Sequence, residues 1–153
     1  MSAAELTERT YNFFHAMERC DTAWLEDNLA DTFTFNGHFP PFTREAFIKG
    51  QQGIIQAFDG WRYTLQNIEQ RDQVILGQLC ITGRHARALQ LPSAAIAPFA
   101  PAFREVRTAP QRFEVYFEQQ KIVKLWTEMA KGKGMREVLR QLDIVLDTFE
   151  HES

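Results

Sequence analysis

The sequence predicts an α+β domain in which one strongly twisted antiparallel sheet wraps over about three N-terminal helices. Three observations carry that prediction. Helical spacing of apolar residues is concentrated before Gly60, strand-like alternation dominates after it, and Gln111 to Met129 reads as a hairpin turning at Gln119-Gln120. In the first arm Phe113, Val115 and Phe117 point one way and Arg112, Glu114 and Tyr116 the other. In the second arm Val123, Leu125, Thr127 and Met129 share a face opposite Lys124, Trp126 and Glu128. The polar groups expected on the dry side are therefore Gln111 and Thr127, with no carboxylate among them.

The remaining elements follow in chain order. Leu6, Tyr11, Phe14 and Met17 are spaced for the buried stripe of a first helix. Asp21 is placed to cap a second helix carrying Trp24, Leu25 and Leu29. Phe33 and Phe35 alternate with Thr34 and Asn36 in a short strand, Asn36-Gly37 starts a turn, and Pro40-Pro41 ends regular structure. Thr43 caps a third helix, with Glu45 in its first turn and Phe47, Ile54, Ile55 and Phe58 on its buried side. Asp59-Gly60 closes it, and Trp61, Tyr63 and Leu65 open a strand. Val74 to His85 is long enough for a central strand, with a slip near Gly77-Gln78 that suggests a bulge. Residues 86–104, with three prolines, read as a long loop able to act as a lid. After the hairpin, Met135, Val138, Leu139 and Leu142 predict a short closing helix.

With 153 residues the chain is expected to form a single domain, its core at about 7–142 and a tail at 143–153. A net charge of −3 points away from nucleic acid and anionic membranes, and no apolar run is long enough to span a bilayer. The N-terminal residues lack the basic and apolar regions of a secretory signal. Cys20 and Cys80 form neither a disulfide framework nor a metal spacing, so buried free thiols in a cytoplasmic protein are expected. Neither a cofactor nor a metal is expected, since the four histidines pair with no acidic residue at ligand spacing.

Three segments resemble the SnoaL-like family of polyketide cyclases and ester cyclases, within the nuclear transport factor 2-like superfamily. FNGHFPPFTREAFIKGQQGIIQAFDGWRYTLQNI is similar to the family's strand, Gly/Pro turn, "T-x-E-A" helix and "AFPD" exit. RDQVILGQLCITGRHARALQLPS resembles its "GD-x-V … TGTH … L-x-IPPT" region, and RFEVYFEQQKIVKLWTEM its "FRFEDGKIVEHWD" strand pair. The resemblance covers roughly residues 10–142. It implies a cone-shaped (cystatin-like) curved antiparallel sheet around a ligand pocket, and a homodimer formed through the outer face of the sheet. It also implies an aspartate acting as general acid/base, with a histidine and a glutamine beside it. Those positions fall on Thr127, Phe113 and Gln111, so only the glutamine is retained, and a threonine hydroxyl is no proton shuttle near neutral pH.

The expected ligand-pocket residues are Asn36, His38, Tyr63, Leu65, Gln111, Phe113, Val115, Leu125 and Thr127, with the catalytic residues left open. Each has a plain structural reading: Gln111 as a strand start, Thr127 as a β-branched strand residue, Tyr63 as a core aromatic with one polar end, and Asn36 and His38 as parts of a turn. His38 has the intrinsic pKa of a general base. His85 reads as a strand terminator, Trp126 as an outer-face anchor, and Lys131 and Lys133 as a solvated turn. The function expected is binding of a small, mostly apolar molecule without the family's acid/base aspartate. The alternatives are an active cyclase, isomerase or hydrolase on a carbonyl compound using His38 or Glu128, and an interaction module whose pocket is filled by its own phenylalanines.

Overall fold

The computed structural model of the chain describes residues 1–38, 40–91 and 97–144. Helix α1 (Ala3–Arg19) begins on Ser2, whose side chain accepts from the Glu5 amide. Its buried stripe is Leu6, Thr10, Phe13, Phe14 and Met17, a run of i, i+4, i+7, i+8 and i+11. Tyr11 lies off that line and is 39% exposed, and Phe13 holds the core position instead. Helix α2 (Thr22–Asn28) is capped by the Asp21 carboxylate, 3.1 Å from the Trp24 amide. Strand β1 (Leu29–Phe35) starts where that helix ends, so Leu29 belongs to the sheet. A two-residue strand β2 (Phe42–Thr43) leads into helix α3 (Arg44–Ala57), whose first turn is capped by Thr43. Phe47, Ile48, Gln51 and Ala57 are its buried residues, while Ile54 and Ile55 are half-buried against the core.

The sheet is completed by β3 (Phe58–Arg71), β4 (Val74–His85), β5 (Glu105–Arg107), β6 (Gln111–Glu118) and β7 (Lys121–Thr127), and helix α4 (Gly134–Gln141) follows. The cone-shaped antiparallel sheet over three helices is corrected by this arrangement. The sheet is open, ordered β2-β1-β7-β6-β4-β3 with β5 paired to β4, and β2 and β3 stand at its two edges. It is mixed, because β1 runs parallel to β7. A fourth helix, α4, docks after the sheet, with the Gln141 amide bridging the Arg107 backbone on β5 at 2.8 and 3.1 Å. Alternation reports which face a strand buries but not which strand it pairs with, and nothing local to β1 announces a partner at the far end of the chain.

Two irregularities set the inner face. In the β3–β4 ladder Gln66 pairs with Gln78 and Glu69 with Leu76, so the extra residue lies in β3, not at Gly77-Gln78 as expected. There Asn67 has φ +55°, opposite Gly77, where a β-carbon would stand 2.6 Å from Ile68 Cδ1. In the β6–β7 ladder Tyr116 pairs with Lys124 and Phe117 with Ile122, which leaves Val123 as the bulged residue. Ile122, not Val123, is therefore buried with Leu125 and Thr127. Gln119 and Gln120 close this hairpin with φ +49° and +67°, the pair of left-handed conformations that matches the twist of the strands.

In the 86–104 segment Leu89 bridges Phe99 through paired backbone hydrogen bonds of 2.8 Å, and residues 92–96 of the expected lid lie outside the described residues. So does the tail after Ile144. Strand β5, too short to show a pattern, was not anticipated. Cys20 and Cys80 are unpaired and half-buried, more exposed than expected. Among the described residues no helix is long and apolar enough to cross a membrane.

Candidate functional site

A cavity of about 330 Å³ lies between the inner face of the sheet and helices α1, α3 and α4. Its buried walls are Phe14 and Met17 of α1, Phe47 of α3, Leu79 and Ile81 of β4, Leu125 of β7 and Leu139 of α4. Half-buried residues, among them His38, Phe42, Leu91, Lys133, Met135 and Arg136, border it toward solvent. The walls are aromatic and aliphatic because α1 and α3 lay their apolar stripes over strands that bury alternate residues.

Of the expected pocket residues, the fold brings His38, Tyr63, Gln111, Leu125 and Thr127 to this cavity. Asn36, Leu65, Phe113 and Val115 do not line it. Asn36 is held in the turn, its amide donating to the Leu125 carbonyl at 2.8 Å and its Oδ1 accepting from Thr34 at 3.0 Å. Phe113 and Val115 are packed solid in the core, with the Phe113 ring edge-on to Phe14 at 5.0 Å. Leu65 packs half-buried against the core from β3.

Three polar side chains of the cavity, Gln51, Gln111 and Thr127, are more than nine-tenths buried. Gln111 is 6% exposed and donates Nε2–H to the Glu128 backbone carbonyl at 2.6 Å. Among the described residues nothing donates to its Oε1. Thr127 is 7% exposed, and its hydroxyl has no partner among the described residues. At the other side of the cavity Tyr63 and Gln51 pair through two hydrogen bonds of 3.0 and 3.3 Å, and Gln51 also donates to the Met17 carbonyl at 3.2 Å. Desolvation pushes the Tyr63 hydroxyl up to about 12, so it is a neutral donor and acceptor throughout the physiological range.

Glu128 corrects the expectation that no carboxylate borders this space. The last ladder pair is Phe113 with Thr127, and Glu128, whose amide still donates to the Arg112 carbonyl at 3.0 Å, borders the cavity. Its carboxylate is engaged: Oε1 accepts from the Arg112 amide at 3.2 Å and from Lys133 at 3.2 Å, and Oε2 lies 3.6 Å from the Arg112 guanidinium. Burial pushes its pKa up, but the Arg112 amide, the Lys133 ammonium and the Arg112 charge together outweigh burial and hold it below the usual carboxylate value. Such a group is a weak base. His38 also borders the cavity. Its Nδ1 lies 2.9 Å from the Pro40 carbonyl, which only accepts, so Nδ1 is placed to donate there. The ring stacks on Phe42 at 4.1 Å.

Sequence reasoning missed Gln51, Lys133 and Arg136. Lys133 is no solvated turn residue but a partner of Glu128. Arg136 was legible in principle, since it precedes Leu139 by one helical turn and so shares its face. His85 stands away from the cavity: its Nδ1 accepts from the Ala102 amide at 3.0 Å, its ring stacks on Phe58 at 5.1 Å, and burial pushes its pKa down. On the outer face the Arg112 guanidinium lies 5.7 Å from the Trp126 ring centre. Among the described residues no three His, Cys, Asp or Glu side chains converge as a metal requires.

No model of a protein family matches the chain, and no curated protein does. Solved structures do. AclR from Streptomyces galilaeus superposes with a TM-score of 0.71 at 17% identity, over 93% of this chain and 98% of that one. TsrD from Streptomyces laurentii gives 0.71 at 13% identity, over 95% and 99%. A SnoaL-like polyketide cyclase from Agrobacterium tumefaciens gives 0.64 at 16% identity, over 90% and 97%. With coverage close to complete on both sides, the chain shares the fold of these proteins, the SnoaL-like polyketide cyclase among them.

Proposed function

We propose that the chain binds one small, mostly apolar molecule in the cavity between α1, α3, α4 and the sheet. The observation that carries this is the cavity's composition. Its volume of about 330 Å³ falls within the range of small-molecule sites, its walls are aromatic and aliphatic, and two buried polar side chains offer it an unpartnered oxygen each. Thr127 Oγ1 can donate to a ligand carbonyl, and Gln111 Oε1 can accept from a ligand hydroxyl. The fold is shared with a polyketide cyclase, but the position that the resemblance assigns to an acid/base aspartate holds Thr127. Recognition without that proton shuttle is the reading the site supports best.

Fluorescence titration with the apolar probe 1-aminoanthracene tests it. Saturable one-to-one binding is expected, and Ala46→Trp, which puts an indole into the cavity from α3, should abolish it. Absence of saturation, or binding indifferent to Ala46→Trp, would overturn the reading.

A second reading has its own observation. His38 borders the apolar cavity, and an imidazole at such a place suits proton abstraction next to a carbonyl. Deuterium exchange into 2-tetralone, followed by NMR, would support it if the protein accelerates exchange and His38→Ala does not. Equal rates with and without protein would exclude it for this class of ketone.

A further inference from the structure

We infer that the molecule taken by this cavity carries a carboxylate, and that Arg136 receives it. The inference rests on the ligand-binding reading above and adds the ligand's charge to it. The argument starts from the charges where the cavity meets solvent. Lys133 and Arg112 both face Glu128, at 3.2 and 3.6 Å, so the one carboxylate there is already matched. Arg136 borders the same cavity, half-buried, and among the described residues it meets no carboxylate. Among the described residues its one hydrogen bond runs from Nη1 to the Met129 carbonyl at 3.3 Å, which leaves most of a five-donor guanidinium unmatched there.

A second feature reinforces the positive potential. Helix α4 starts just after Lys133, whose side chain makes no capping hydrogen bond, and the acidic residue of its first turn, Glu137, is taken up by Arg140 and Gln141, so the turn that carries Arg136 does not spend its partial positive charge on a cap. Inside, Gln111 and Thr127, more than nine-tenths buried, offer only neutral oxygens. The polarity is thus graded: neutral hydrogen-bonding groups within, a cation unmatched by any carboxylate at the opening. An apolar body with an acidic group at one end fits that gradient, and the planar fork of a guanidinium matches a carboxylate. The plain alternative is that Arg136 is a solvated helix residue with no role in selection.

Isothermal titration with 2-naphthoate and its isosteric amide, 2-naphthamide, separates the two. The wild-type protein should bind the acid about tenfold or more tightly than the amide. In Arg136→Gln, shown to be folded by its circular dichroism melt, the ratio of the two affinities should fall to about one. Arg136→Lys should fall between, since it keeps the charge and loses the fork. Equal affinities in the wild type, or a preference that survives in Arg136→Gln, would overturn the assignment while the cavity reading stands. If neither naphthyl compound binds but 1-aminoanthracene does, the carboxylate inference alone fails. If 1-aminoanthracene does not bind either, both fail.

Discussion

Gly37 sits directly against Thr127: a β-carbon on Gly37 would stand 2.0 Å from Thr127 Oγ1 and 2.3 Å from the Phe35 ring. The turn after β1 is thereby pressed onto the end of β7 at the cavity. Gly37→Ala is expected to destabilise the protein by about 1–3 kcal/mol through overpacking, read by urea denaturation. Adding Thr127→Ala should recover part of the loss, because only the Phe35 contact then remains. Full tolerance of Gly37→Ala would show that the turn is not held in this way.

Gln111 supplies the hydrogen bond that ties the chain after β7 back to β6. Gln111→Leu removes it and leaves the Glu128 carbonyl without that donor, at a cost of about 1–3 kcal/mol. Gly134 lies over the same amide, where a β-carbon would stand 2.2 Å from Gln111 Nε2, and its φ of +61° lies in the left-handed region that favours glycine. Gly134→Ala should therefore also destabilise, and combining it with Gln111→Leu should be less than additive in a double-mutant cycle.

Phe113 is core rather than cavity wall. Phe113→Ala should cost about 3–5 kcal/mol, as deletion of a fully buried ring does, measured by thermal or chemical unfolding. A cost below about 1 kcal/mol would mean that its surroundings are looser than the packing against Phe14 indicates.

Glu137 carries the clearest acid dependence. Hydrogen bonds from Arg140 at 2.6 Å and Gln141 at 2.7 Å hold its pKa at about 2, below the ordinary 4.5. A carboxylate depressed in the folded state contributes stability above its unfolded value and loses that contribution as pH falls toward the folded value. Unfolding free energy should therefore decline from about pH 4.5 toward pH 2, and Glu137→Gln should flatten this decline. An unchanged profile in the variant would place the acid sensitivity elsewhere.

Tyr63 sets the alkaline counterpart. With its folded pKa raised to about 12, it should ionise well above the ordinary tyrosine value of 10 in an ultraviolet titration, and Tyr63→Phe should remove that step. The sign is opposite to that of Glu137: the folded state holds the proton more tightly, so stability is lost as pH rises from about 10 toward 12. A single tyrosine transition near the ordinary value would contradict the burial of this hydroxyl.

The fold was legible where local physics is strong. The caps at Asp21 and Thr43, the span Val74–His85 and the hairpin at Gln119-Gln120 all follow from residue types at fixed offsets. It was illegible where one inserted residue changes the count. The bulge at Val123 exchanged Val123 for Ile122 on the buried face, and the extra residue sat in β3 rather than β4. The cavity shows the same division. Gln111 and Thr127 were visible in the alternation of the hairpin. Glu128, Lys133 and Arg136 lie beyond the last ladder pair, where side-chain direction depends on how the chain leaves the sheet.

The parallel pairing of β1 with β7 joins Leu29 to Ile122 and Phe35 to Leu125. On the ribosome, β1 emerges long before its neighbour exists and must wait, with one edge unsatisfied, until Lys121–Thr127 has also been made. Contacts so distant along the chain are costly to close and slow to form. Closure of this sheet should therefore wait for β7, and nascent chains halted before Lys121 should remain open to protease at Phe33 and Phe35.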